Sequence, residues 1–142
     1  MNIYAPTVHL PGFFIVVSNT IRQFRNSYII LGGDFNKVRD PQVDKTYRRG
    51  IIRPSGAQKA IDAMEKELGL VDVWRFFHPL EREYTFYSNP HTSYSRIDYF
   101  LISKSLISIT EQTSIGNILI SDNASVGIAF SLGQMPRTPP TR

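Results

Sequence analysis

A continuous apolar run, Tyr28–Leu31, passes directly into Gly32, Gly33 and Asp34. Apolar residues with no alternation do not suit a sheet face that is half in water. The run is therefore expected to be a central strand covered on both faces. The two glycines are expected to end it, which leaves Asp34 where a strand stops and a loop begins. A strand of this kind needs packed layers on either side, and that points to an α/β fold.

The rest of the chain supplies candidate layers. Ser55 and Gln58 form an S-x-x-Q capping box, and Ala57, Ile61, Met64 and Leu68 recur at helical spacing up to Gly69. This predicts a helix over 56–68, stopped by a glycine that accepts a left-handed backbone. Phe13, Phe14, Val17, Ile21 and Phe24 follow the same three-to-four spacing and predict a helix over about 11–26. The β-branched Ile15, Val16 and Val17 pull against it. Residues 2–5, 84–87, 97–102, 117–120 and 126–132 read as strands, and the polar stretch 39–54 as a long loop. Prolines at 136, 139 and 140 bar regular structure. One domain over 1–132 and a disordered, Pro-rich tail over 133–142 are therefore expected.

Composition narrows the setting. The chain contains no cysteine, which excludes disulfides, thiolate metal sites and cysteine nucleophiles and fits a reducing, intracellular compartment, nuclear or cytoplasmic. No apolar run approaches the roughly 20 residues of a membrane span, so no membrane partner is expected. The short stretch 13–17 lacks the basic flank and cleavage site of a signal peptide. A net charge of +4 favours phosphate-bearing partners.

Three polar clusters stand where strand-like runs begin or end: Gly33-Asp34-Phe35-Asn36, Ser95-Arg96-Ile97-Asp98-Tyr99 and Ser121-Asp122-Asn123-Ala124. In layered α/β folds, loops at strand ends bring distant residues together around ligands. Phosphodiester hydrolysis needs the groups these clusters contain. Asp34 can orient or deprotonate a water. Asn36 can donate to a phosphoryl oxygen without repelling it. Asp122 can hold a hard cation such as Mg²⁺ through oxygen. Singly, each has an ordinary reading as an Asx-type turn or a solvated cap, and Tyr4 and Tyr99 read equally as core-edge aromatics. His9, His78 and His91 have no partner at metal-ligand spacing and read as surface or satisfied histidines.

The order of the motifs adds a resemblance. Asn2-Ile3-Tyr4-Ala5-Pro6, Gly32-Gly33-Asp34-Phe35-Asn36, Glu83-Tyr84-Thr85-Phe86, Tyr94-Ser95-Arg96-Ile97-Asp98-Tyr99 and Ser121-Asp122-Asn123-Ala124 occur in that order. Together they resemble the endonucleases of LINE-type retrotransposons, within the endonuclease/exonuclease/phosphatase (DNase I-like) superfamily. The resemblance implies the C-terminal part of a four-layer α/β sandwich, with mixed sheets flanked by helices. It also implies Mg²⁺-dependent cleavage of DNA and a place within a retrotransposon polyprotein. By the same resemblance, Tyr4 positions the phosphate or attacking group, Asp34 activates water and Asn36 contacts phosphate. Thr85 shapes the site, Ser95 helps to position substrate, Asp98 orients a catalytic histidine, and Asp122 lies on the metal side.

Two departures qualify this. Where the resemblance implies Ser-Asp-His, the chain reads Ser121-Asp122-Asn123. Asn123 can hydrogen-bond but cannot become a cation near neutral pH. The chain also opens at the tyrosine motif, and its first acidic residue is Asp34, so the glutamate metal ligand implied ahead of that motif has no counterpart. The expectation is a truncated and catalytically impaired nuclease. The alternatives are a non-catalytic transposon remnant or nucleic-acid-binding module, and a phosphatase acting on small phosphate esters.

Overall fold

The structure is a computed structural model and describes residues 1–8, 10–46, 50 and 53–135. His9, most of the stretch 47–52 and the prolines of the expected tail therefore lie outside the described residues.

A four-stranded mixed sheet forms the centre. Its strands are β1 (Asn2–Tyr4), β2 (Ile30–Asp34), β3 (Leu70–Asp72) and a longer strand, Asp98–Ser103. Two short strands intervene in the sequence, β4 (Phe86–Ser88) and β5 (Ser93–Ser95), so the longer strand is β6. The sheet order is β1-β2-β6-β3, with β1–β2 parallel and the other two pairs antiparallel. A parallel neighbour needs a crossover, which helix α1 (Pro11–Arg22) provides. Pro11 opens that helix, where its fixed φ and missing N–H do no harm.

Helix α2 (Gly56–Leu68) matches its expected bounds. The Ser55 side chain accepts from the Gln58 backbone N–H, the Gln58 side chain accepts from the Ser55 N–H, and Gly69 turns left-handed at φ 60°. Phe14, Val17 and Ile21 of α1 and Ala57, Ile61, Met64 and Leu68 of α2 pack with Ile3, Leu31, Tyr99 and Leu101 of the sheet. Each large side chain buried this way contributes about 1.5–3 kcal/mol relative to exposure. The opposite face of the sheet is covered by a hairpin of β7 (Thr110–Ile115) and β8 (Val126–Phe130). There Ile128 and Phe130 pack on Ile102, Leu106, Ile109 and Val73, the last from helix α3 (Val73–Phe77).

Three expectations need correction. Gly32 and Gly33 lie inside β2 rather than ending it. The Phe100 ring occupies the space a Cβ on Gly32 would need, and Gly33 has φ +137° with the Ile3 carbonyl 2.0 Å from where its Cβ would stand. Close strand approach requires both glycines. The predicted strand over 117–120 is irregular: Leu119 and Ile120 are exposed at 81% and 101% in the loop between β7 and β8. An apolar run alone does not make a strand when no sheet edge is there to pair with it. The helix expected to reach residue 26 stops at Arg22, and Phe24 is exposed.

Candidate active site at the end of the central sheet

Register places the site. Tyr4 of β1 lies opposite Asp34 of β2, and Asp34 lies opposite Asp98 of β6. Opposed residues on paired strands share a face, so these three side chains form one rung. Ile3, Gly33 and Tyr99 form the preceding rung on the helix side. The Tyr4–Asp34–Asp98 rung thus faces away from α1 and α2, at the last step of the β2–β6 ladder. Tyr4 is 80% exposed, whereas Asp34 and Asp98 are half-buried.

After Asp34 the chain turns sharply. Asn36 adopts φ 51°, and its backbone N–H donates to Asp34 Oδ1 at 2.8 Å. Asparagine tolerates this left-handed conformation better than most residues. Its side-chain Nδ2 donates to the Ala5 carbonyl at 2.6 Å, tying the turn to the end of β1. A primary amide carries two N–H groups, so one remains for a ligand. The Tyr99 hydroxyl donates to the Lys37 carbonyl at 3.0 Å, and the Tyr99 ring stacks on Phe35 at 4.1 Å. The turn that carries Asn36 is thereby fastened to the core.

Thr85 joins the remaining segments. It is fully buried, and its hydroxyl oxygen accepts from the backbone N–H groups of Ile97 and Asp98 at 3.0 and 3.1 Å. Its own N–H donates to the Ser95 carbonyl, and its carbonyl accepts from Ala124 N–H at 2.7 Å. Tyr87 N–H donates to the Asp122 carbonyl, and Phe86 bridges Asn123. The late motif is therefore docked on the β4 segment through its backbone, while the Asp122 and Asn123 residues stay exposed. Ser95 is half-buried beside this junction and contributes through backbone pairing to Phe86.

Both carboxyls of the rung are shifted upward. Burial pushes Asp98 up to about 6, a hydrogen bond with the Thr85 hydroxyl opposes the rise, and the nearby Asp34 charge adds to it. Asp34 is also raised by burial, opposed by the Asn36 backbone N–H and the charge of Lys37. Asp98 Oδ2 is buried without a hydrogen-bond partner among the described residues.

The described residues do not assemble a closed, all-protein metal cage. Among the described residues no group of three His, Cys, Asp or Glu side chains could hold an ion. Asp122 stands exposed in its loop.

Sequence reasoning missed a buried charge cluster beneath the site. Arg96 is fully buried and pairs with Asp44 through Nε at 2.8 Å and Nη2 at 3.1 Å, and with Asp72 Oδ2 at 2.6 Å. Arg75 also reaches Asp44, and Trp74 lies against both guanidiniums. The Arg96 backbone N–H also donates to the Asp44 carbonyl at 2.9 Å, so the cluster anchors the loop around Asp44 to the residue just before Ile97. Nothing in the residue spacing announced it, because its members come from three distant segments. His78 is satisfied, stacked on Trp74 with Nε2 3.2 Å from the Thr113 hydroxyl, and His91 is exposed.

No protein-family profile matches the chain. Over 140 residues it is 30% identical to the transposon TX1 uncharacterized 149 kDa protein of Xenopus laevis, covering 93% of this chain and 10% of that protein. The chain thus spans about a tenth of the length of this curated relative. Among solved structures it is similar to an AP endonuclease from Archaeoglobus fulgidus, with TM-score 0.73 and 21% identity over 92% of this chain and 60% of that one. A 3'-5' exonuclease from Neisseria meningitidis gives TM-score 0.73 at 21% identity, over 91% and 59%. A Neisseria 3' phosphatase bound to product DNA hairpin gives TM-score 0.69 at 22% identity, over 92% and 60%. No helix among the described residues is long and apolar enough to cross a membrane.

Proposed function

This chain has the α/β fold of the endonuclease/exonuclease/phosphatase (DNase I-like) enzymes, and from that premise we propose that it is a DNA phosphodiesterase domain of retrotransposon origin with weakened catalysis. The observation that carries the reading is the shared rung of Tyr4, Asp34 and Asp98, followed at once by the turn bearing Asn36. Two carboxyls and an amide donor at adjoining strand ends suit attack of water on a phosphodiester.

In this reading Asp34 accepts a proton from the attacking water. The free N–H of Asn36 donates to a phosphoryl oxygen, and exposed Tyr4 positions the phosphate from the edge strand. Thr85 fixes the backbone of Asp98, and Ser95 holds the adjoining pair. A Mg²⁺ ion, if used, would be held by one or two carboxylates with water and the DNA phosphate, Asp122 being the candidate on the late loop. Asn123 supplies a hydrogen bond where a proton-carrying histidine is expected, and that accounts for the weakened activity. DNA as substrate is favoured by the net charge of +4 and by the product DNA hairpin bound to the structurally similar Neisseria enzyme.

Incubation with supercoiled plasmid and Mg²⁺ tests this. Slow nicking is expected, and Asp34→Ala should remove it. Nicking that survives Asp34→Ala, or an unnicked plasmid at high enzyme excess, would overturn the reading.

A further inference from the structure

Lys37 follows Asn36 immediately, and the turn that holds the amide also fixes the lysine. Its backbone carbonyl is pinned by the Tyr99 hydroxyl, and its ammonium donates to the Asn36 carbonyl at 3.1 Å and the Thr7 carbonyl at 3.4 Å. A lysine on a loop ordinarily sweeps a wide volume. This one is half-buried and tethered at both ends, so its charge is delivered to one place beside Asp34. The two groups feel each other: burial raises Asp34 and the charge of Lys37 opposes that rise, while burial depresses Lys37 and the charge of Asp34 opposes that fall.

An ammonium carries three N–H donors. Two are directed at main-chain carbonyls, which leaves one for a group arriving over the Asp34–Asn36 turn. We propose that Lys37 is a phosphate-binding residue of this site, meeting a non-bridging oxygen of a nucleic-acid phosphodiester beside the free N–H of Asn36. It places a fixed positive charge at a site whose other expected cation is replaced by Asn123. The inference rests on the proposed function for its ligand, but it concerns binding rather than cleavage.

The competing role is structural: the ammonium only ties the Thr7 segment to the turn. Lys37→Gln separates the two, because its amide can still donate to carbonyls but carries no charge. The measurement is fluorescence anisotropy of a short labelled DNA duplex across a salt series in EDTA, with the thermal midpoint of each variant alongside. Loss of one phosphate contact lowers the slope of log affinity against log salt by about one. Lys37→Gln should show that drop with an unchanged midpoint. Lys37→Arg should keep the wild-type slope. Lys59→Met, on an exposed position of α2 on the far side of the sheet, should leave it unchanged.

A slope unaltered in Lys37→Gln, a midpoint that falls with it, or a wild-type chain that binds no duplex would overturn the inference. A wild type that binds with the expected slope changes but never nicks would leave the inference standing and remove only the cleavage reading.

Discussion

The resemblance pairs Asp98 with the residue at position 123, and an asparagine there changes what Asp98 can do. Asp98 has a buried Oδ2 with no partner among the described residues, and its carboxyl is pushed up to about 6. A histidine beside it would supply an N–H donor and a cation, whereas an asparagine supplies no charge. Asn123→His should therefore raise plasmid nicking, by about 10²-fold or more if acid–base catalysis returns in full. Asp98→Asn in the same background should cancel the gain. A histidine variant no faster than wild type would show that the late loop does not bring residue 123 to the phosphate. The turn at Asp34 and Asn36 was legible because a strand end followed by a turn leaves a mark in local sequence, whereas Thr85 entered only through the resemblance. Lys37 was not, since a lone lysine in a loop looks like any solvated charge until the partners of its ammonium are known.

At the scale of elements, local rules succeeded where structure is local. The Ser55–Gln58 box and Gly69 gave α2 its exact ends because a helix is closed by its own neighbours in sequence. They failed where pairing decides the outcome: the segment 117–120 lacks a partner strand, while the polar Thr110–Ile115 forms β7 because β8 lies beside it. The Arg96 cluster belongs to the same class, and its removal should be felt far more than that of a surface pair. Arg96→Met strips Asp72 of its cation and leaves Asp44 with Arg75 alone, which should lower stability by about 3–5 kcal/mol in chemical denaturation. Arg22→Met, which breaks the exposed pair with Glu67, should leave the midpoint unmoved. Equal effects would show that the buried cluster contributes no more than surface charge.

For the molecule as a whole, the carboxyls set an uneven response to pH. Burial raises Glu65 to about 7 and Asp98 to about 6, so both hold a proton more tightly folded than unfolded. Their contribution grows as pH falls through those values and is lost as pH rises through them. Asp44 behaves oppositely. Arg96 and Arg75 outweigh its burial and hold it below the usual carboxylate range, so its contribution is lost on acidification beneath about pH 4. The thermal midpoint should thus rise from pH 8 towards about 5 and fall below about 4. A midpoint that climbs steadily from pH 5 to 8 would contradict these assignments. The α/β layering was readable from periodicity; the sheet order was not, because β1-β2-β6-β3 depends on crossings that no single segment encodes.

The site rung also has a place in time. Asn36 meets Ala5 across 31 residues, and Arg96 meets Asp44 across 52. Contacts so distant in sequence form slowly, since the intervening chain must be closed before they return any stabilisation. On the ribosome, β1 and β2 emerge long before β6, and a two-stranded pair has little stability alone. Asp34 therefore waits while the 64 residues from 34 to 98 are made before its neighbour Asp98 can complete the rung.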